Sequence, residues 1–235
     1  MGSTNEPTGA FPPASGGKLR SVRRLTLRKH RLATRQFLAE GPQAVREALR
    51  SGRARELFVV PSPRSAELVV GAEEIPVYAV TETELTGLTD TVTPQGVVAV
   101  CDWSPQTLRD LPGQLRLVVV CAQIRDPGNA GTVIRCADAF GADAVIFSAG
   151  SVEVTNPKVV RASVGSLFHV PVISGAALGD IVSALRARGL HILAADGEGP
   201  DQLSHLAVTG DLTQPTAWIM GNEAWGLPPE HAALA

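Results

Sequence analysis

The 235-residue chain has few cysteines and no long apolar segment. Cys101, Cys121 and Cys136 are odd in number, widely spaced and set in apolar stretches, which is typical of buried thiols rather than of disulfides or metal ligands. No apolar run approaches the roughly 20 residues that span a bilayer, and the N-terminus has no apolar core of the signal-peptide kind. We therefore expect a cytoplasmic protein with no metal site and no membrane segment.

Glycine-rich phosphate-binding motifs are also missing. Neither a P-loop nor G-x-G-x-x-G occurs, which disfavours a generic nucleotide-binding enzyme. The net charge of −2 is uneven, because residues 18–35 are rich in Lys and Arg and contain no acid. This basic segment is expected to form a helix that suits a phosphate backbone, and a solvated helix face is the alternative. Its candidate contact residues are Arg20, Arg23, Arg24, Arg28, Lys29 and Arg31.

Composition and patterning predict two domains. Residues 1–17 are rich in Gly, Pro, Ser and Thr and are expected to be a disordered tail. Residues 18–101 read as a small α/β domain, and residues 102–116, which contain two prolines, as a linker. Residues 117–235 alternate strands with helices, which predicts a parallel, doubly wound sheet.

The most informative motif follows the apolar run at 117–121, which is typical of a buried parallel strand. Pro127 and Gly128 turn the chain, and Asn129 can cap a helix over 130–140. Arg135 lies less than two turns after Asn129, so both can face one crevice at the carboxyl edge of the sheet, where α/β proteins bind ligands. A capping Asn beside an unrelated surface Arg is the alternative.

A second polar strand end comes near the end of the sequence. The predicted strand at 217–220 runs into Gly221-Asn222-Glu223. Gly221 would let the backbone approach a ligand closely, and Glu223 would place a carboxylate at the sheet edge. An exposed turn acid is the alternative for Glu223.

These two segments together resemble a known family. Asn129-x-Gly131-x-x-x-Arg135, followed by Gly221-Asn222-Glu223-x-x-Gly226-Leu227, resembles the SpoU/TrmH family (SPOUT class) of RNA 2′-O-ribose methyltransferases. Residues 37–47 and 93–99 resemble the family's substrate-binding domain and its exit. The resemblance implies an α/β fold with a small N-terminal RNA-binding domain and a C-terminal parallel-sheet domain of the trefoil-knot type.

The resemblance also implies a cofactor, a set of site residues and a homodimer with the site at its interface. The cofactor would be S-adenosylmethionine. The positions that match adenosine-wrapping residues are Ala195, Met220 and Gly221. The positions that match the family's catalytic or structural polar residues are Asn129, Arg135 and Glu223. Arg161 lies in a region that often supplies a further basic residue facing the RNA.

The residue types agree with methyl transfer to a ribose hydroxyl. The hydroxyl is a poor nucleophile and must lose its proton as it attacks. Because an arginine stays protonated in proteins, Arg135 is expected to hold the adjacent phosphate and stabilise the developing alkoxide rather than act as a free base.

One family feature does not occur before Ala235, namely a third motif with a Ser-Leu-Asn run. We therefore expect the knot and the cofactor pocket to be incomplete in this stretch. Two hypotheses follow. The first is 2′-O-ribose methylation of RNA, with ribosomal RNA ahead of transfer RNA because the appended basic domain suits a folded RNA. The second is a non-catalytic RNA-binding protein with a truncated methyltransferase domain.

Overall fold

The computed structural model describes residues 11–70, 72–197 and 199–235. The chain divides after Asp102 into two compact units. Most of the expected tail, residues 1–10, lies outside the described residues. Within the described part, no helix is both long enough and apolar enough to cross a membrane.

The first unit is a four-stranded sheet with helices. The strands lie in the order β1-β4-β2-β3, with only the β2–β3 pair parallel. Their bounds are β1 (Gln36–Glu40), β2 (Ala54–Val59), β3 (Val77–Ala79) and β4 (Val97–Asp102). The helices are α1 (Gly16–Arg23), α2 (Arg28–Thr34), α3 (Pro42–Arg50), α4 (Pro63–Val69) and α5 (Glu82–Leu88).

The sequence predicted a single helix for the basic segment, but the structure shows two. A 3-10 turn at Arg24–Thr26 separates α1 from α2. The segment is also balanced by an acid from elsewhere in the unit, because Lys18 Nζ donates a 2.7 Å hydrogen bond to Glu56 Oε2 on β2. This bond raises the pKa of Lys18, and it anchors the basic segment to the sheet.

The second unit is a five-stranded sheet in which every pair is parallel, in the order β7-β6-β5-β9-β8. The strands are β5 (Leu117–Cys121), β6 (Ala144–Ser148), β7 (Val172–Ala176), β8 (His191–Ala195) and β9 (Thr216–Met220). The helices are α6 (Pro127–Ala139), α7 (Pro157–Ala162), α8 (Leu178–Arg186), α9 (Leu203–Thr209) and α10 (Pro229–Ala232). The predicted α/β class with a parallel sheet is confirmed.

The core of the second unit extends into the segment that was expected to be a linker. Leu111 and Leu115 are 7% exposed and belong to the same apolar cluster as Val118, Ile146 and Ile219. Burying a leucine side chain contributes about 1.5–3 kcal/mol. These two leucines therefore attach the segment to the second unit, although most of its other residues are exposed.

Helices α6 and α7 cross at very short range, and Gly131 makes this possible. A Cβ atom at position 131 would lie 2.5 Å from Ala162 Cβ and 2.6 Å from the Val159 carbonyl oxygen. Helix packing therefore requires Gly131, the glycine of the motif Asn129-x-Gly131-x-x-x-Arg135. Its position fixes how α7, which carries Lys158 and Arg161, lies against α6.

Candidate active site at the carboxyl edge of the parallel sheet

The two polar segments found in the sequence meet at the centre of the second sheet. Strands β5 and β9 are neighbours, with Cys121 opposite Met220, so the loops that follow them lie side by side. Glu223 Oε1 accepts a 2.7 Å hydrogen bond from the Asp126 backbone N–H. A direct bond thus joins two loops that are 97 residues apart in the chain.

Asp126, and not Asn129, caps helix α6. Its Oδ1 accepts a 2.9 Å hydrogen bond from the Asn129 N–H, and the helix begins at Pro127. The bond to Asn129, together with Lys158 Nζ 3.6 Å from Oδ2, lowers the pKa of Asp126. The expectation for Asn129 as the cap is wrong by three residues. The missed signal was proline after aspartate, because proline favours the first helical position.

Asn129 and Arg135 both lie on the exposed side of α6, together with Thr132. Within the described part of the chain, the side chains of Asn129 and Arg135 make no hydrogen bond or ion pair. An amide and a guanidinium are therefore presented to solvent less than two helical turns apart. Both groups can donate hydrogen bonds to phosphate or hydroxyl oxygens.

Asn222 holds the second loop together from inside. It is 4% exposed, its Nδ2 donates to the Gln123 carbonyl at 2.7 Å, and its Oδ1 accepts from the Ala224 N–H at 2.8 Å. Two backbone bonds between Asn222 and Gly226, of 2.9 and 2.8 Å, close the loop into a tight turn. Sequence reasoning quoted Asn222 in the motif but gave it no role.

Gly221 is required by this turn. A Cβ atom there would lie 2.5 Å from the Gly226 carbonyl carbon and 2.8 Å from the Leu227 nitrogen. The atoms that exclude a side chain are thus the loop's own backbone. The first loop is fixed in a similar way at Gln123, which has a φ of 56° and whose N–H donates to Ser148 Oγ at 3.0 Å.

The positions expected to bind the cofactor come together at the ends of β8 and β9. Ala195 is the register partner of Met220, and Gly221 follows Met220 directly. A cavity of about 730 Å³ opens beside the end of β8. Its lining includes Ala195, Gly197, Leu203, Leu206 and Trp218.

Most of the candidate RNA-binding residues lie at the surface of the first unit. Their exposed members are Arg20, Arg23, Arg24, Arg28 and Lys29. Arg31 is an exception that corrects the sequence analysis. It is 4% exposed, and its Nη1 donates to the Leu25 and Thr26 carbonyls at 2.9 and 2.7 Å. Arg31 therefore closes the end of the 3-10 turn instead of facing a ligand.

Arg161, the remaining basic candidate, is half-buried on α7 in the second unit. Lys158, one turn earlier on the same helix, is exposed beside Asp126. Among the described residues, no group of three or more His, Cys, Asp or Glu side chains is arranged to hold a metal ion.

Comparisons with known proteins match both units. Residues 116–235 match the SpoU rRNA Methylase family, and residues 17–99 match the MRM3-like substrate binding domain. The 23S rRNA (guanosine(2553)-2'-O)-methyltransferase RlmP of Bacillus subtilis (strain 168) is 36% identical over 181 residues, which are 76% of this chain and 70% of that protein.

Two solved structures extend the likeness to the fold. An AdoMet-bound rRNA methyltransferase from Sinorhizobium meliloti matches with a TM-score of 0.78 at 30% identity, covering 95% of this chain and 85% of that one. The SpoU methyltransferase AviRb from Streptomyces viridochromogenes, in complex with AdoMet, matches with a TM-score of 0.80 at 28% identity, covering 94% and 86%.

Fold and site together define a class: an α/β protein of two units whose parallel sheet carries a polar site on the loops after its central strands. The family follows from the matches. The chain belongs to the SpoU rRNA methylase family. The resemblance drawn from residues 129–135 and 221–227 is confirmed.

Proposed function

We propose that this chain methylates the 2′-hydroxyl of a ribose in ribosomal RNA, with S-adenosylmethionine as the methyl donor. The observation that carries the proposal is the bond between Glu223 and the Asp126 N–H, which assembles the family's two motif segments into one site. The described residues also fit the cofactor. The cavity beside Ala195 has the size of a small-molecule site, and Leu203, Leu206 and Trp218 supply apolar surface for an adenine ring.

Met220 and Gly221 lie beside Ala195 at the strand ends, next to this cavity, where they would contact the adenosyl part of the cofactor. When bound, S-adenosylmethionine would supply a sulfonium methyl group whose carbon an oxygen nucleophile can attack in line, with the neutral thioether as the leaving group. The chain's own residues have to place that oxygen and stabilise its charge. Alignment of this kind can supply a large part of a rate enhancement.

Arg135 and Asn129 are placed to act on the RNA. The positively charged Arg135 guanidinium binds the phosphate next to the target ribose and stabilises the negative charge that develops on the oxygen as the hydroxyl passes its proton to solvent water. The Asn129 amide can orient the hydroxyl by a hydrogen bond. Glu223, whose Oε1 is held by the Asp126 N–H, acts mainly by fixing the two loops relative to one another.

The first unit would bind the RNA. Arginine and lysine side chains neutralise phosphates and release counterions, so the exposed basic residues of 20–29 suit an rRNA segment. Arg161 would add a contact from the second unit. We further propose that the protein works as a homodimer, as the family resemblance implies, and that it acts in the cytoplasm. Ribosomal RNA is preferred to transfer RNA because relatives such as RlmP are named for it.

Two measurements test this proposal in sequence. Calorimetric titration with S-adenosylmethionine should show saturable binding to the 235-residue chain. Incubation with methyl-labelled cofactor and deproteinised ribosomal RNA should then label the RNA. Cofactor binding without any transfer, on intact or fragmented RNA, would favour the alternative of a non-catalytic RNA-binding protein. That alternative is not favoured by the relatives, which are named as methyltransferases.

A further inference from the structure

An exposed arginine–tryptophan pair lies at the same sheet edge, and the mechanism above gives it no role. Arg125 is in the loop after β5, and Trp225 is in the loop after β9. The Arg125 Cζ atom lies 5.0 Å from the centroid of the Trp225 ring. Trp225 is still 48% exposed with the guanidinium beside it, and Arg125 is exposed. A single exposed ring is common on protein surfaces, so the observation that points to a ligand is the guanidinium placed over this ring, at the sheet edge that carries the candidate site.

The loop that carries Trp225 is held in one conformation by its own hydrogen bonds. The buried Asn222 and the two backbone bonds between Asn222 and Gly226 fix the turn on either side of the ring. The Glu223 carboxylate joins this turn to the backbone directly after Arg125. Ring and guanidinium are therefore presented together on a fixed framework, which lowers the entropic cost of binding.

We infer that Arg125 and Trp225 form a stacking site for an unpaired base of the substrate RNA, at or next to the ribose that is methylated. Proteins read single-stranded RNA by stacking splayed bases on aromatic rings and on guanidinium planes. The arginine adds a positive charge that attracts phosphate. This inference rests on the proposed function, because its occupant is the substrate of that reaction.

Position supports the assignment of the base to the reaction site. Trp225 is two residues after Glu223, and Arg125 directly precedes Asp126, the cap of the helix that carries Asn129 and Arg135. A base stacked on the pair would belong to the target nucleotide or its neighbour. The target ribose would then lie in a loop, bulge or single strand, because a base in a duplex cannot leave its stack without cost.

The test compares a nonamer of adenosine with a ribose–phosphate chain of the same length that lacks bases. Binding of each dye-labelled chain is measured by fluorescence anisotropy at constant salt. Trp225→Ala should weaken binding of the nonamer about tenfold and leave the abasic chain unaffected. Trp225→Phe should keep most of the preference. The matched control is Phe140→Ala, since Phe140 is 80% exposed in the same unit and should change neither affinity.

Other outcomes would overturn the inference. Equal losses of affinity for both chains would mean that Trp225 supports the fold of the loop or the position of the Arg125 charge. No loss of affinity would mean that Trp225 has no role in RNA binding. A drop in calorimetric affinity for S-adenosylmethionine would place the ring in the cofactor site. Loss of self-association with unchanged RNA binding would place it between two copies. If base preference depends on Trp225 but ribosomal RNA is never methylated, the pair still stacks RNA bases, while its place beside a methylated ribose fails together with the proposed function.

Discussion

Asn222 and Asn129 show, at the scale of single residues, how the site separates structural side chains from those that can meet a substrate. Asn222 is buried, and both its amide nitrogen and its amide oxygen form hydrogen bonds with backbone groups. Asn129 is exposed, and within the described part of the chain its side chain makes no hydrogen bond. The two amides are therefore expected to respond differently to truncation.

Asn222→Ala should lower the free energy of unfolding by about 1–3 kcal/mol, because the Gln123 carbonyl and the Ala224 N–H would lose their partner in a buried place. Asn129→Ala should change stability by less than about 0.5 kcal/mol and reduce methyl transfer instead. Urea unfolding of both variants measures the difference. Equal stabilities would show that Asn222 does not hold the loop.

Predictions for single residues failed where they depended on burial or on which groups a long side chain contacts, because the sequence does not show either. The acid-free charge of 18–35 placed Arg31 among the candidate RNA contacts, yet Arg31 bonds to two carbonyls of its own segment. Nothing in the local sequence distinguishes Arg31 from Arg28. The cap at Asp126, by contrast, could have been read from Asp-Pro. The motif residues Asn129, Arg135 and Glu223 were found because they follow buried strands that are easily recognised.

At the scale of elements, strong local signals predicted β5 with the bounds that the structure shows. Helices α4, α9 and α10 were missed. No residue of α9 or α10 is buried, and α4 buries only Ser65, and none of the three is longer than seven residues, so periodicity has little to reveal in them. The crossing of α6 and α7 was likewise invisible, because it depends on a contact between separate segments.

Gly131→Ala tests this crossing. Alanine normally favours a helix over glycine by about 1 kcal/mol, but here its Cβ would overlap α7. We expect a net loss of about 1–3 kcal/mol in unfolding free energy and a weakened site. Gly179→Ala is the matched control, because nothing lies within 4 Å of a Cβ at that position of α8. The account of the crossing is wrong if both variants are equally stable.

The Lys18–Glu56 bond gives the first unit a pH-dependent element. The pKa of Lys18 is raised in the folded state, mainly by the bond to Glu56. Its stabilisation is therefore fully present below the unfolded pKa of about 10.4 and is lost as the pH rises through the higher folded value. Because Lys18 is partly exposed, the contribution is below about 1 kcal/mol.

Lys18→Met should therefore be less stable than the parent at neutral pH, and the difference should shrink above the usual lysine pKa. Thermal unfolding across this pH range measures the change. Lys29→Met is the control, because Lys29 is exposed and should show no comparable effect. A constant difference at all pH values would mean that the contacts of the lysine stem, rather than its charge, stabilise the unit.

At the scale of the whole molecule, sequence order predicted the class of fold, because alternating strands and helices favour a parallel sheet. Patterning did not reveal that Leu111 and Leu115 join the second core, since prolines made their segment resemble a linker. The reaction was inferred from the motif residues and from family membership. The pairing of β5 with β9 brings the two motif segments together in space, and the spacing of residues in the sequence does not predict that pairing.

The central claim is that this site methylates a ribose, and one measurement tests it most directly. Ribosomal RNA is incubated with methyl-labelled S-adenosylmethionine and the parent chain, Arg135→Ala, or Arg109→Ala as an exposed control. The RNA is then digested to nucleosides and analysed by mass spectrometry. We predict a 2′-O-methylated nucleoside with the parent and the control, and none with Arg135→Ala, although that variant still binds the cofactor. Label on a base, or unchanged transfer by Arg135→Ala, would contradict the account.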